Sequence, residues 1–503
     1  MSRESLIGID VGTSSARAVL FDLRGETLAC AARGYSLRMP QPGWVEQSSE
    51  EVWQAVCASL RDVAGQARQR GARPVALALA CQSGSVTLAD ENGAPIYPNI
   101  TWMDGRAESV VDEWQARGVG EWARAVAGWR LHPGLALSTL AWLTRHRPDL
   151  MTRARRVLSM NDYLTHRLTG LFCANPSNAS VMQLLGVSGE GWRDDLCRLA
   201  GIDRAQLSPV LPSGAPIGPL TAEAAALTGL PRSVLVVNGG HDQSCAALSA
   251  GVTQPGRVLL ACGTSWVVTE AADGSDLSCV PATMDLSFHV VPGRWTISQS
   301  LGGLGSALDW WLNQCWPAAP GESTETRAAR YETLNAEMDQ ATPGARGLLF
   351  APIAGGHASP AGMQRGGFVG LQLHHTRGDM TRAIMESAAY ELRWALQEMR
   401  VAGRRVDEMA MVGGATRSAH WPQIVADVTG VSLAVSHDPH WPALGAAILA
   451  GWGAGVFDSV ETAQLSLARP VARVEPHSDR HVRYSAHFAR YREWIAANNS
   501  IAR

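Results

Sequence analysis

The chain opens with an apolar run, Leu6-Ile7-Gly8-Ile9, closed by Asp10; polar residues from Gly12 to Ser15 follow, then a second apolar run, Ala18-Val19-Leu20-Phe21. This pattern predicts strand, tight turn, strand, and a turn at Arg24-Gly25-Glu26 leads to a third strand over 27–35. Val52, Val56, Leu60 and Val63 recur at helical spacing, so 50–70 reads as a helix with one apolar face. A buried strand over 74–82 comes next, with 86–89 expected to pair beside it, and helices mixed with loops dominate up to Leu230. Alternation of this kind marks an α/β fold.

The scheme then restarts. A strand over 233–238 ends at Gly239-Gly240-His241-Asp242, a small-residue helix begins near Ser244, and 258–262, Gly263-Thr264 and 265–269 repeat strand, turn, strand. Gly12-Thr13 and Gly263-Thr264 thus hold equivalent places in two successive units, which points to duplication, although a plain hairpin also carries Gly-Thr readily. Later elements are a helical insertion over 322–340, a long amphipathic helix over 379–400, strands over 409–412 and 431–435, a small-residue helix over 443–450 and a closing helix over 477–502. Two domains are expected, 1–245 and 246–503, joined within 243–256.

Composition narrows the partners. Lys+Arg 43 against Asp+Glu 46 gives a net charge of -3, so no basic field invites nucleic acid or an anionic membrane. No apolar stretch approaches the length of a membrane span, and Met1 to Glu4 lead into a strand without a signal-peptide pattern. The nine cysteines are scattered, with no C-x-x-C pair, as expected of free thiols in a reducing cytoplasm. The chain contains no lysine. That excludes a Walker loop, a protein-kinase strand lysine and Schiff-base chemistry; a nucleotide would have to be held by backbone amides, hydroxyls, arginine and a metal ion.

Three segments could carry chemistry. In Asp10-x-Gly12-Thr13-Ser14-Ser15-x-Arg17, glycine permits a tight turn whose amides and hydroxyls can meet phosphate oxygens, and Asp10 could face Mg²⁺; an ordinary polar hairpin is the plain alternative. In Gly239-Gly240-His241-Asp242-Gln243, Asp242 could act as general base for a substrate hydroxyl, with His241 a hydrogen-bonded spacer. Local sequence alone favours reading Asp242 as a helix N-cap. Gly413-Gly414-Ala415-Thr416-Arg417-Ser418, after a strand, suits a nucleotide against exposed amides or a plain strand-to-helix turn. Of the 18 tryptophans most read as packing residues, and only Trp102 lies in a segment pointing to substrate.

Gly366-Gly367-Phe368-Val369-Gly370-Leu371, followed after seven residues by Asp379-Met380-Thr381-Arg382-Ala383-Ile384-Met385-Glu386, resembles the C-terminal signature of the FGGY carbohydrate kinases. The resemblance extends through Trp102-Met103-Asp104-Gly105-Arg106 and Asn161-Asp162-Tyr163 to the last helix. It implies two actin-like (ribonuclease-H-like) domains around a cleft, and ATP-dependent, Mg²⁺-assisted phosphorylation of a small sugar or polyol, most nearly a pentulose such as xylulose. It implies Asp242 as catalytic base, Asp10 as metal residue, and Gly12, Thr13, Ser14, Ser15, Arg17, Gly263, Thr264, Gly305, Gly413, Gly414 and Ser418 as nucleotide contacts. Gln82, Ser83, Trp102, Asp104, Asp242 and Gln243 would line the sugar pocket. Rival readings are an actin-like ATPase without sugar kinase activity, a sugar-sensing degenerate kinase, or a kinase for glycerol or a hexulose; a homodimer is an open form of assembly.

The chain also departs from the family. Ser83-Gly84 stands where xylulokinases usually carry Met-His and glycerol kinases Arg-Glu, Ala136 and Thr139 break the N-terminal signature, and Gly355-Gly356-His357 replaces a common Gly-Glu-Arg. A roomier, less polar sugar pocket is therefore expected, with weaker hold on D-xylulose and poor use of glycerol.

Overall fold

The computed structural model of the protein describes residues 3–317, 321–353, 355–356 and 366–501, so His357 lies outside the described residues. The opening apolar runs form an antiparallel meander of β1 (Arg3–Val11), β2 (Ser15–Asp22) and β3 (Thr27–Gly34). Helix α1 (Ser49–Gln69) crosses to β4 (Ala72–Cys81), parallel to β1. The helix begins where Ser48 Oγ accepts the Glu51 N–H at 3.2 Å, carries Glu50 and Glu51 in its first turn, and buries the face of Val52, Val56, Leu60 and Val63. Of the intervening helices, α2 (Ala136–His146) and α3 (Pro176–Val181) bear on the site. β5 (Pro216–Pro219) and β6 (Leu235–His241) complete a sheet of order β5-β6-β4-β1-β2-β3.

After α4 (Asp242–Ser249) the plan repeats with β7 (Gly256–Cys262), β8 (Trp266–Ala272), β9 (Asp285–Phe288) and β10 (Trp295–Ser300). Then come α5 (Leu304–Cys315), α6 (Thr324–Met338), α7 (Arg377–Val401), β11 (Val406–Val412) and α8 (Trp421–Thr429). The chain finishes with β12 (Ser432–Val435), α9 (Trp441–Gly453), β13 (Ala472–Val474) and α10 (Ser478–Ile501). The second sheet runs β9-β10-β8-β7-β11-β12-β13. Setting β9 aside, both sheets share one topology: an antiparallel three-strand meander, two parallel neighbours and an antiparallel edge. The duplication expected from the two Gly-Thr turns is real at the level of the sheets.

The units exchange helices. α9, from the second, packs Ala443, Leu444, Ala447 and Ile448 against Leu6, Phe21, Ala76 and Val237 of the first sheet. α4, which follows the first sheet, packs Ala246 and Ala247 against Leu259, Ala271, Ala410 and Val412 of the second. Small residues allow the approach: a Cβ on Gly8 would lie 1.7 Å from the Ala443 carbonyl oxygen, and one on Gly445 2.0 Å from that of Cys245. A boundary between residues 245 and 246 falls inside α4, whose last residue is Ser249, while β7 begins at Gly256.

The pairing expected for 86–89 is corrected. Thr87–Ala89 pairs with Arg156–Leu158, and Val86 bridges Ile100, because both sides of β4 are already occupied by β1 and β6. Gly84, at φ +81°, turns the chain out of the main sheet.

Candidate active site

The parallel strands of the first sheet end in register, Val11 opposite Cys81 and Cys81 opposite His241. Asp10, Gln82 and Asp242 are thereby delivered to one sheet edge, at the carboxyl ends where α/β sheets bind ligands. Arg17 on β2 lies directly across from Asp10. Burial pushes the Asp10 carboxyl up to about 7, with the Asp242 charge adding to the rise and Arg17 opposing it. Two carboxylates are thus held close enough to repel, an arrangement that a cation relieves.

Asp242 is the first residue of α4, not its cap: His241 occupies the capping position without a side-chain bond. Asp242 Oδ1 accepts the Gln243 N–H at 2.7 Å and lies 3.1 Å from His241 Nε2. The carboxylate is partly exposed at the sheet edge, with Oδ1 held by these two neighbours.

In the first turn, the Gly12 N–H donates to the Ser15 carbonyl at 3.0 Å and the Tyr35 N–H to the Ser14 carbonyl at 3.0 Å. The Tyr35 hydroxyl donates to the Gly12 carbonyl, and Gln47 Nε2 to the Thr13 carbonyl. With its carbonyls engaged by protein, the turn retains its hydroxyls, Ser14 being exposed, for a ligand. The second turn is built differently. A Cβ on Gly305, at the start of α5, would lie 2.2 Å from the Gly263 carbonyl oxygen, and one on Gly413 2.6 Å from that of Cys262. The Ser306 N–H donates to the Thr264 carbonyl at 3.2 Å. Gly263, Thr264, Gly305, Gly413 and Gly414 thus gather at one place. Ser418 Oγ accepts the His420 and Trp421 N–H groups at 3.3 and 3.2 Å, just ahead of α8, whose capping position His420 holds.

The sugar-side residues divide. Gln82 donates to Gln47 Oε1 at 2.9 Å, while the buried oxygens Gln82 Oε1 and Gln243 Oε1 have no protein partner, leaving two acceptors for ligand hydroxyls. Trp102 is 40% exposed and donates from Nε1 to Thr13 Oγ1 at 3.1 Å, so it joins this segment to the first turn. Asp104 offers no free oxygen. Its carboxylate accepts the Val45 N–H at 2.6 Å and the Arg106 N–H, Nε–H and Nη2–H at 2.9, 2.8 and 2.9 Å, so it holds the Trp102 loop in shape. Nor is the Ser83-Gly84 corner roomy: a Cβ on Gly84 would meet Leu135 Cδ2 at 2.4 Å, with Trp102 and Val181 close behind. Leu135, 5% exposed, occupies the space that the departure from Met-His was expected to empty. The Ser83 hydroxyl is likewise engaged, donating to the Asn178 carbonyl at 3.1 Å.

Sequence reasoning missed the parts that fix these groups. The α3 turn holds two of them at once: Ser177 Oγ accepts the His241 N–H at 2.9 Å, and Asn178 Nδ2 donates to the Cys81 carbonyl at 3.2 Å and to Ser83 Oγ at 3.1 Å. Gln47, fully buried, is another. Polar residues flanking proline in Asn175-Pro176-Ser177-Asn178 gave a cap signal, and Asn175 does cap the turn, but nothing in the sequence connects it to Asp242. All nine cysteines are free thiols. Among the described residues no helix is long and apolar enough to cross a membrane.

Comparison with known proteins follows this geometry. The pattern defining the N-terminal domain of the FGGY family of carbohydrate kinases matches residues 5–249, and that of the C-terminal domain matches 258–454. The chain is similar to a xylulose kinase of Escherichia coli (strain K12), 30% identical over 448 residues, 88% of this chain and 89% of the relative. It is also 30% identical to the L-xylulose/3-keto-L-gulonate kinase of the same strain over 495 residues, covering 98% and 96% of the two chains. A crystal structure of xylulose kinase from Rhodospirillum rubrum superposes with a TM-score of 0.88 at 29% identity, covering 99% of each chain.

Proposed function

This chain belongs to the FGGY family of carbohydrate kinases, and we propose that it transfers the γ-phosphate of ATP to a hydroxyl of a pentulose of the xylulose type. The observation that carries the reading is the gathering of Asp10, Asp242 and the unpartnered Gln82 and Gln243 oxygens at one sheet edge, beside the first Gly-Thr turn. Relatives named for xylulose and for L-xylulose supply the sugar class.

In this mechanism Gln82 and Gln243 accept hydrogen bonds from sugar hydroxyls and orient one of them toward Asp242. Asp242 takes that hydroxyl's proton as its oxygen bonds to the γ-phosphorus, and the bond to the bridging oxygen breaks to leave ADP. The hydroxyls of Thr13, Ser14 and Ser15 hold the transferred group, Arg17 adds positive charge, and the Gly263–Thr264 and Gly413–Gly414 backbone lies against the nucleotide. A magnesium ion would need only one or two protein carboxylates here. Asp10, beside Asp242, fits such an ion, and no cluster of three or more His, Cys, Asp or Glu ligands among the described residues offers a self-sufficient cage. When bound, the ion supplies charge neutralisation to the phosphates.

A screen of ADP release against D-xylulose, L-xylulose, hexuloses and glycerol tests the proposal: a pentulose should stimulate turnover most. Turnover indifferent to every sugar would identify an actin-like ATPase. The Leu135 packing makes a sharper statement. Ser83→Met with Gly84→His collides with Leu135 and strains the backbone at Gly84, φ +81°, so the pair alone should damage activity on every sugar; adding Leu135→Ala should relieve the collision but not the strain, and so restore activity only in part. An active pair variant with Leu135 intact would show that this corner is not packed as described.

A further inference from the structure

The sugar-side and phosphate-side groups are joined through one buried amide. Gln47 lies in the two-residue strand Glu46–Gln47, opposite Asn99, and is wholly inaccessible. Its Oε1 accepts from Gln82 Nε2 at 2.9 Å and from Asn99 Nδ2 at 3.1 Å, while its Nε2 donates to the Thr13 carbonyl. The preceding residue is anchored independently, since Glu46 Oε1 accepts from Arg106 Nη2 at 2.8 Å and from the Tyr97 hydroxyl at 3.0 Å. The Trp102 indole reaches the same threonine through Oγ1.

We propose that Gln47 is a positioning residue that couples sugar occupancy to the shape of the Thr13 turn. A sugar hydroxyl donating to Gln82 Oε1 holds the Gln82 amide in one orientation. That orientation presents Nε2 to Gln47 Oε1, and the Gln47 amide, fixed at both ends, in turn holds the Thr13 peptide and the phosphate-facing groups beside it. Without sugar the Gln82 amide is held by its Gln47 bond alone, with its oxygen unpartnered, so the turn is less constrained and water is a poorer acceptor. The inference rests on the sugar-kinase reading for the identity of the ligand, but not for the existence of the bridge.

The test is Gln47→Met, of similar length but without the amide, compared with wild type for sugar-stimulated and sugar-independent ATP turnover. Stimulated kcat should fall roughly tenfold or more, and by a larger factor than the sugar-independent rate, with KM for the sugar within about threefold, as for one interaction made mainly in the transition state. Equal falls in both rates, or an unchanged stimulation ratio, would overturn the proposal. Gln47→Glu keeps an acceptor for Gln82 and Asn99 but loses the donor to Thr13; it should lose stimulation too, and full stimulation in it also overturns the idea. If no sugar stimulates the wild type, the sugar-kinase reading fails, and a double-mutant cycle of Gln47→Met and Gln82→Met on MgADP affinity still decides the bridge: non-additive effects support it, additive ones refute it.

Discussion

Two glycine-threonine turns stand at equivalent corners of two sheets with one topology, yet their surroundings are unlike. Before the first turn, Asp10 faces Arg17 across the hairpin; at the matching positions before and after the second, Ala261 faces Val267. The first turn has its carbonyls tied by Tyr35 and Gln47, whereas the second is braced by backbone, with Gly305 and Gly413 pressed against it. Duplication therefore reproduced the scaffold and not the charge. The first turn has the groups to handle a transferring phosphoryl group, and the second has a close-packed, uncharged surface suited to the body of a nucleotide.

The largest effect should come from the charged side. Asp242→Asn is expected to preserve fold and nucleotide affinity while lowering turnover roughly 10²–10⁴-fold, the range for a lost general base. Steady-state kinetics with a direct measurement of ADP binding would check it; near-normal turnover would remove Asp242 from the mechanism.

Asp10→Ala should lower kcat strongly with little change in sugar affinity, and activity should require Mg²⁺ or Mn²⁺; full activity in EDTA would contradict the metal assignment. The same residue predicts a pH dependence of stability. Because the folded protein raises the Asp10 carboxyl from 3.8 to about 7, protonated Asp10 favours the fold. Its contribution is fully present below about pH 4 and is lost as pH rises through about 7. In EDTA, Asp10→Asn should therefore flatten the fall in Tm between pH 5 and 8, and Mg²⁺ should do the same for the wild type. Identical slopes in wild type and variant would refute the placement.

On the uncharged side the effects should be steric. Gly305→Ala must displace the Gly263 carbonyl, at a cost of about 1–3 kcal/mol for overpacking, and should raise KM for ATP while leaving KM for the sugar nearly unchanged. Calorimetry with ADP and with sugar separates the two. Smallest is Ser418→Ala. Its hydroxyl accepts the N–H groups of His420 and Trp421 at the entry to α8, so it should lose about 1 kcal/mol of stability with little change in nucleotide affinity. A large affinity loss at unchanged Tm would return Ser418 to the nucleotide contacts.

How far the sequence could be read follows from which interactions are local. The hairpins, α1 and the long α7 were legible because their apolar period and turn residues are carried by neighbours in the chain. The exchange of α4 and α9 was not: both are rich in small residues, Ser, Cys and Ala in α4 and Ala and Gly in α9, so no face is marked, and the contacts of Gly8 and Gly445 are made with residues far away in sequence. The segment that most clearly identified the family does little chemistry. Asp379 closes a capping box with Thr376, Thr381 accepts from Trp311 Nε1 at 2.8 Å, and Arg382 pairs with buried Glu386 at 2.8 Å, so this signature secures the start of α7 in the second core. The partners of Asp104 were not legible either. Its segment does border the first turn, but its own carboxylate is saturated by Arg106 two residues on. Leu135 and Gln47 were invisible because the groups they touch, at Gly84 and at Thr13 and Gln82, become neighbours only once the sheet is assembled.

A sugar kinase and an ATPase differ in where the phosphoryl group goes. ³¹P NMR of the protein with MgATP and xylulose reads that directly. ADP should appear together with an equal amount of a new phosphomonoester, inorganic phosphate should stay near background, and Asp242→Asn should suppress both products. ADP accompanied by inorganic phosphate alone, at a rate no sugar alters, would contradict the sugar-kinase reading.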